Sequence, residues 1–223
     1  MVSKGEPWGR PASAAPDHSV SGDDRGLAAC VAGAPGALIR FTPDATSDLA
    51  RAVGLAAADA DADAAGGRYR TELPMDALDL DDGSLVVNLL VAGTPPDRVT
   101  RWTPSFDAHL VLDGREWFAG RLTTIVVAVG QWRHGLDLVP RGHPGDGRVE
   151  VQAYGLRPGE RRAMRRRLAV GSHLPHPRIL TRTARVVEIG TNPAVPLEVD
   201  GRTGASADRV VATVRPGAYR LLV

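Results

Sequence analysis

Apolar and polar residues alternate in short segments along the second half of the chain, and turn residues separate these segments. Alternation with a period of two indicates strands that bury one face, and Gly, Pro or Asp-Gly pairs between them indicate turns. Eight such segments occur, at Leu85–Val91, Ala108–Leu112, Leu122–Val129, Arg148–Tyr154, Arg185–Ile189, Pro196–Val199, Arg209–Val214 and Tyr219–Val223. They predict an antiparallel β-sandwich or barrel over residues 71–223.

The first part of the chain has a different pattern. Residues 1–16 are rich in Pro, Gly, Ser and Ala without periodicity, which predicts a disordered leader, and the Ala/Asp-rich residues 57–70 predict a linker. Between them, residues 17–56 predict a small α/β piece built from a helix at Gly26–Ala32, a strand at Ala37–Phe41 and a helix at Ser47–Val53 closed by Gly54. The predicted fold class is therefore α+β, with a truncated α/β piece before a mainly antiparallel β-sandwich.

One helix is predicted among the strands, at Pro158–Leu168. Its arginines at 161, 162, 165 and 166 have the spacing of residues on one side of a helix. This basic side either contacts an anionic membrane surface or forms a solvated face beside the sandwich.

Charge and composition exclude several functional classes. The 223 residues contain 27 Lys and Arg against 26 Asp and Glu, so the net charge of +1 gives no indication of a nucleic-acid partner. A single cysteine, Cys30, excludes a disulfide framework and a thiolate-cluster metal site. No transmembrane segment or signal peptide is recognisable, which predicts a cytoplasmic protein, either free or peripheral to the membrane.

A Pro/Gly-rich turn at Pro140–Gln152 holds one carboxylate, Asp146, followed by Gly147. One carboxylate with main-chain oxygens is the kind of ligand set that magnesium or calcium prefers. The same residues also suit a tight hairpin turn without a metal.

This segment also resembles lipid kinases of the diacylglycerol kinase and sphingosine kinase type, in which a Pro, a short loop and Asp-Gly precede a strand of a C-terminal β-domain. The resemblance implies a structural Mg²⁺ held by the side chain of Asp146 and by the carbonyl oxygens of His143 and Arg148.

Two further turns resemble the same family. Ser21-Gly22-Asp23-Asp24-Arg25 is similar to its Gly-Gly-Asp-Gly-Thr turn, and Thr42–Asp48, followed by Leu-Ala-Arg, is similar to its second glycine-rich turn. The resemblance implies that ATP, as co-substrate, would lie against Ser21, Gly22, Thr46 and Ser47. Asp23 then has the catalytic position, although an N-cap role explains it equally well. Asp24 and Asp44 replace glycines and place carboxylates where triphosphate charge would lie.

The family's Asp-Gly-Glu motif, which supplies a general base, is represented here by Asp200-Gly201-Arg202. Arg202 cannot accept a proton, so it is either an anion-binding residue or an exposed turn residue. Glu198, Glu150 and Asp200 are the carboxylates considered as replacements.

The resemblance implies an ATP-dependent lipid kinase homologue, with phosphate transfer to a lipid hydroxyl weak or lost. The alternative is a pseudokinase that binds lipid or a partner. Expected partners are a lipid substrate or an anionic membrane surface. Because the family has more strand–helix units before its first glycine turn, we also expect either packing of the short α/β piece on the β-domain, or a homodimer or partner chain that completes it.

Overall fold

The fold is mostly antiparallel sheet, and the computed structural model describes residues 8–55 and 71–223. Three helices are present there: α1 (Asp24–Gly33), α2 (Asp48–Val53) and α3 (Arg161–Leu168). The strands are β1 (Arg10–Pro11), β2 (His18–Gly22), β3 (Leu38–Pro43), β4 (Thr71–Leu80), β5 (Leu85–Val86), β6 (Leu89–Gly93), β7 (Phe106–Leu112), β8 (Arg115–Leu122), β9 (Thr124–Ala128), β10 (Trp132–Arg133), β11 (Leu136–Asp137), β12 (Val149–Tyr154), β13 (Ile179–Ala184), β14 (Val186–Val199) and β15 (Arg202–Leu222).

Two long strands organise the β-domain. β14 and β15 pair antiparallel along most of their lengths, with shifts of register between Gly190 and Val195. The first half of β14 pairs with β7 and its last residues pair with β6, which continues through β9 and β12 to β13. A strand that changes neighbours along its length bends the sheet over itself. Side chains from both parts, including Leu90, Val127, Leu110 and Val187, therefore enter one core, as the sequence pattern predicted for a sandwich.

The short α/β piece is attached to this sheet through β3. β2 and β3 are parallel, and β3 also runs parallel to the end of β15, where Ile39 lies opposite Leu221. α1 and α2 cover these strands, and Leu27 and Leu49 share a core with Tyr219 of β15. The two parallel strands are thus covered by packing on the β-domain, one of the two arrangements expected from the sequence.

The predicted disordered leader is wrong for residues 8–16. β1 pairs with β4, where Arg10 lies opposite Glu72 and forms an ion pair of 2.9 Å with it. The indole Nε1 of Trp8 donates a hydrogen bond of 3.1 Å to the carbonyl oxygen of Pro74. These contacts join residues far apart in sequence, which composition does not reveal. Residues 1–7 and the predicted linker at 57–70 lie outside the described residues.

The prediction for the basic helix also needs a correction at one residue. Arg161 is buried with Met164 and Leu168 on the inner side of α3, although the spacing grouped it with exposed arginines. Its guanidinium donates to the carbonyl oxygens of Thr103 at 2.7 Å and Thr100 at 3.1 Å. Because these oxygens accept hydrogen bonds from its N–H groups, the side chain can be buried.

Candidate functional site

The N-termini of α1 and α2 open at the same edge of the sheet, because each helix follows one of the parallel strands β2 and β3. Asp23 is the N-cap of α1 and accepts a hydrogen bond of 2.9 Å from Gly26 N. Ser47 is the N-cap of α2 and accepts one of 3.0 Å from Ala50 N. The two turns are joined by a bond of 2.8 Å from Asp44 N to the carbonyl oxygen of Gly22. N-caps of this kind expose backbone N–H groups that attract anions.

The residues predicted to bind a nucleotide therefore lie together. Ser21 and Gly22 end β2, in register with Thr42 and Pro43 of β3. Thr46 is held by Asp44, whose Oδ1 accepts bonds of 2.8 Å from Thr46 N and 2.6 Å from its hydroxyl. The geometry brings these residues to one edge, and their binding of a nucleotide stays a prediction.

Asp24, at a position where the resemblance implies a glycine, is a buried carboxylate at the centre of this edge. It accepts hydrogen bonds from the hydroxyl of Ser47, from Leu49 N at 3.1 Å and from the amide nitrogen of Asn88 at 3.3 Å. Burial raises the pKa of Asp24 to about 6, against the opposite effect of its hydrogen bonds. Asp24 therefore connects the two helices to the β-domain through hydrogen bonds.

Asp200 lies at the same junction, at the end of β14. Its carboxylate accepts bonds from three consecutive backbone N–H groups, those of Val87 at 3.1 Å, Asn88 at 2.9 Å and Leu89 at 3.1 Å. Burial and then the charge of Asp24 raise its pKa to about 7. Asp200 shapes the chain between β5 and β6, a role that sequence spacing did not indicate.

Asp23 and Arg202 form an ion pair of 2.6 Å, although 179 residues separate them in sequence. The bond from Gly26 N and the Arg202 guanidinium lower the pKa of Asp23, while burial opposes them. Both side chains keep exposed surface, 24% for Asp23 and 61% for Arg202. The pair joins the residue at the predicted catalytic position to the residue at the predicted base position.

The carboxylates considered as replacement bases are occupied. Glu198 is 3% exposed and receives two bonds, of 2.6 and 2.8 Å, from Arg133. Glu150 is buried and accepts a bond of 3.0 Å from Gln152. Glu198 and Glu150 are therefore not accessible proton acceptors at this edge, whereas Asp200 is half-buried and is held by its three N–H donors.

A pocket of about 440 Å³ lies beside the Asp23–Arg202 pair. Its wall contains two basic residues, Arg25 and Arg202, and two acidic residues, Asp82 and Asp200, and most of the rest is apolar. The apolar lining comes from α1, β4, β5, β14 and β15, namely Ala28, Leu80, Leu85, Leu197, Val199, Ala205 and Ala207. Its chemistry suits a ligand with an apolar part and a polar end.

A second carboxylate, which the sequence analysis missed, lies beside the predicted magnesium turn. Asp146 Oδ1 accepts a bond of 2.9 Å from Arg148 N, and His143 packs edge-on against Trp8 with 4.6 Å between ring centroids. Asp76 of β4 accepts bonds of 2.6 Å from Gly147 N and 2.8 Å from Gly217 N. Burial raises the pKa of Asp76, and the charge of Asp146 adds to that effect.

Two neighbouring carboxylates fit a cation chemically, because a positive charge between them offsets their repulsion. Across residues 8–55 and 71–223, no group of three or more His, Cys, Asp or Glu side chains can hold a metal ion. Magnesium at this turn would therefore depend on main-chain oxygens, as the resemblance implies for His143 and Arg148, and it stays a prediction.

In the part of the chain that the structure describes, no helix is long and apolar enough to cross a membrane. Asn88, a polar residue between β5 and β6, is buried between the two parts of the molecule. Its amide nitrogen bonds Asp24 and the carbonyl oxygen of Trp132, the latter at 3.0 Å.

Comparison with known proteins agrees with this architecture. One solved structure, a diacylglycerol kinase from Bacillus anthracis str. Sterne, is 17% identical and aligns with a TM-score of 0.72 over 92% of this chain and 76% of its own. An NAD kinase from Archaeoglobus fulgidus in complex with ATP is 10% identical, with a TM-score of 0.53 over 93% of this chain and 78% of its own. At such identities the likeness shows a shared, kinase-like fold.

A search of the curated proteins gives no match. The sequence model of one family, described as the YegS C-terminal NAD kinase beta sandwich-like domain, matches residues 95–223, which is more than half of the chain. The resemblance to diacylglycerol kinase-type proteins is thereby confirmed at the level of family and fold. The chain belongs to the family of the YegS C-terminal NAD kinase beta sandwich-like domain.

Proposed function

We propose that this chain is a diacylglycerol kinase-like lipid-binding protein in which ATP-dependent phosphate transfer to a lipid hydroxyl is weak or lost. The observation that carries the proposal is the ion pair of 2.6 Å between Asp23 and Arg202. Phosphoryl transfer needs positioned phosphates, a metal that neutralises them and a group that orients the nucleophile. In this chain the aspartate at the catalytic position is engaged by the arginine that replaces the base.

Internal carboxylates add a second obstacle to a nucleotide. Asp24 accepts bonds from the hydroxyl of Ser47 and from Leu49 N at the start of α2, where the resemblance implies phosphate contacts. Asp44 lies in the same turn, exposed and bonded to Thr46. A triphosphate beside two carboxylates is disfavoured by several kcal/mol unless a cation bridges them.

Lipid binding is supported by the apolar pocket beside the ion pair. Its volume of about 440 Å³ and its aliphatic lining fit part of an acyl chain, while Arg202 and Arg25 at its wall fit the polar end of a lipid. The second candidate function, an active lipid kinase, is favoured by the partial exposure of Asp23 next to this pocket.

Calorimetric titration of the purified chain with ATP, with and without magnesium, separates the two functions. We expect no saturable heat from a sample whose cooperative thermal unfolding shows that it is folded. Saturable, magnesium-dependent binding by the unmodified chain would contradict the expected obstruction of the nucleotide site and would favour the active lipid kinase.

The reason for the loss can be tested by reverting the two substituted positions. We expect Arg202→Glu alone to leave ATP binding absent, because Asp24 still lies at the start of α2, and Asp24→Gly with Arg202→Glu to introduce it. Arg209→Glu is the matched control, since Arg209 is an exposed arginine of the same strand that contacts Glu188 rather than Asp23.

Lipid binding is tested with a short-chain diacylglycerol as the probe. We expect it to raise the unfolding temperature of the chain, and we expect Ala205→Trp, which fills the pocket, to abolish that increase. An equal increase in the unfolding temperature of Ala205→Trp would mean that the lipid binds outside this pocket.

A further inference from the structure

A second pocket, here called the Glu150 pocket, lies where the turn after β11 and the segment between α3 and β13 meet the start of β12. Its volume is about 230 Å³, and it shares no residue with the pocket beside Asp23. Its polar residues are Arg141, Glu150, His176 and Thr181. Its apolar wall includes Leu174, Pro175 and Ile179. The Glu150 pocket is therefore a separate, small cavity in which two opposite charges accompany an apolar surface.

The carboxylate of Glu150 is held in place from one side only. Glu150 is 8% exposed, and its Oε1 accepts a hydrogen bond of 3.0 Å from Gln152 Nε2. Gln152 in turn accepts a bond of 2.7 Å from the buried hydroxyl of Tyr154. Within residues 8–55 and 71–223, no group donates to the other oxygen, Oε2. A carboxylate that is largely removed from water and has one donor gains from a cationic group in the pocket.

Arg141 supplies the opposite charge at the same pocket. Its side chain is exposed, and in the described part of the chain it has no ion pair, either with Glu150 or with another carboxylate. Arg141 would repel a ligand that is only cationic, and Glu150 would repel one that is only anionic. A ligand that carries both charges avoids both costs, because its cationic group can contact Glu150 while its carboxylate contacts the guanidinium of Arg141.

The remaining wall limits the size and the character of the ligand. His176 Nδ1 accepts a bond of 3.1 Å from Arg178 N, so the ring hydrogen is on Nε2 and His176 can serve as a further donor. Ile179 is buried and Leu174 is half-buried, which gives aliphatic contacts. Because pockets for drug-sized ligands have about 300–1,000 Å³, this pocket suits a smaller molecule with a short aliphatic part.

We propose that the Glu150 pocket binds a free aliphatic amino acid as its zwitterion, with the ammonium group on Glu150 and the carboxylate on Arg141. The ammonium group supplies N–H donors for the free oxygen of Glu150, and the aliphatic side chain lies against Leu174 and Ile179. The inference goes beyond the proposed function, since this binding needs neither ATP nor the pocket beside Asp23.

Calorimetric titration of the full chain with L-leucine tests the proposal. Two analogues each lack one charge: 4-methylpentanoic acid has no ammonium group, and 3-methylbutylamine has no carboxylate. We expect saturable heat with L-leucine and an affinity about 10- to 100-fold lower for each analogue, since each loses a hydrogen-bonded contact with a charged side chain.

Substitutions then assign each charge of the ligand to its residue. Glu150→Gln keeps the shape of the side chain and an acceptor for Gln152, and it should abolish the preference for L-leucine over 4-methylpentanoic acid. Arg141→Gln should abolish the preference over 3-methylbutylamine. Because Arg141 is exposed, this variant tests the site even if Glu150→Gln does not fold.

Arg115→Gln is the matched control, because Arg115 is an exposed arginine of β8 in the wall of a different pocket. It should bind L-leucine as the parent does. Four results would overturn the proposal: no saturable heat with L-leucine, L-methionine or L-valine, equal affinity for L-leucine and both analogues, unchanged preferences in the folded variants, or equal loss in the control. Binding of ATP or diacylglycerol bears only on the proposed function, because these titrations contain neither.

Discussion

The stability of the protein should depend on pH through the buried carboxylate of Asp24. Its pKa is raised from the ordinary value of 3.8 to about 6, chiefly by burial. The folded chain therefore holds this proton more tightly than the unfolded chain, in which the group ionises near its ordinary value. As the pH rises from about 4 to about 7, the folded state loses this advantage, so the free energy of unfolding should fall.

The magnitude follows from the size of the shift. A change of about two pKa units corresponds to about 3 kcal/mol at about 1.4 kcal/mol per unit. The favourable effect of a carboxylate at a helix N-terminus, about 0.3–1 kcal/mol, is too small to reverse the sign. Asp200 lies nearby, and burial and then the charge of Asp24 raise its pKa to about 7. The difference in unfolding free energy between the parent and an Asp24 variant is therefore more informative than the pH curve of the parent alone.

Asp24→Asn isolates this contribution, because asparagine keeps the shape and the hydrogen-bonding capacity of the site. Its amide oxygen can accept from Leu49 N and Asn88, and its NH₂ group can donate to the Ser47 hydroxyl. We expect the variant to match the parent near pH 4 and to exceed it by up to about 3 kcal/mol at about pH 8. Urea unfolding followed by circular dichroism across this range measures the difference.

The exposed Asp208 supplies the control, and Asp208→Asn should shift the curve little at any pH. Parallel curves for the parent and Asp24→Asn, or a variant that is less stable at about pH 8, would refute the reasoning. Either result would mean that the hydrogen bonds to the ionised carboxylate outweigh the cost of its burial.

Three further substitutions test packing and polar contacts. Arg133→Ala leaves Glu198 buried without its partner and should cost about 3–5 kcal/mol in urea unfolding. Gly93→Ala places a Cβ 2.6 Å from the carbonyl oxygen of Thr123 at a φ of 91°, which should cost about 1–3 kcal/mol beyond the clash and lower the melting temperature. Arg161→Met keeps an unbranched side chain that can be buried but removes the guanidinium donors, so amide hydrogens at residues 100–103 should exchange faster while those of the β-sandwich core keep their rates.

The sequence predicted most strands that bury one face or both, but it missed β4, in which seven of ten residues are buried. β7, β9 and β12 were predicted for that reason, because apolar residues dominate or alternate in them. β8 and β13 expose most of their residues and lack the pattern, so they were missed. Patterns also divided β14 into two strands at the Asn-Pro and Val-Pro region, where the structure has shifts of register within one long strand.

The candidate site was predicted in part, because motifs show which residues occur in a turn but not what they contact. The turns containing Asp23 and Ser47 were located correctly, and each residue caps a helix. The bond between Asp23 and Arg202 spans the whole fold and depends on the packing of β15 against the α/β piece. No local pattern contains that information, and the same holds for the burial of Arg161.

Asp24 and Arg202, at positions where the resemblance implies a glycine and a glutamate, contribute to the structure of this chain. Asp24 provides an acceptor for Ser47, Leu49 and Asn88, and Arg202 provides a partner for Asp23. Replacement of Asp24 by glycine would leave these donors without their acceptor, a cost of about 1–3 kcal/mol for each buried group. A phosphate bound in the reverted site would restore the acceptor. Asp24→Gly with Arg202→Glu should therefore be less stable than the parent without nucleotide, and magnesium–ATP should raise its melting temperature while leaving that of the parent unchanged.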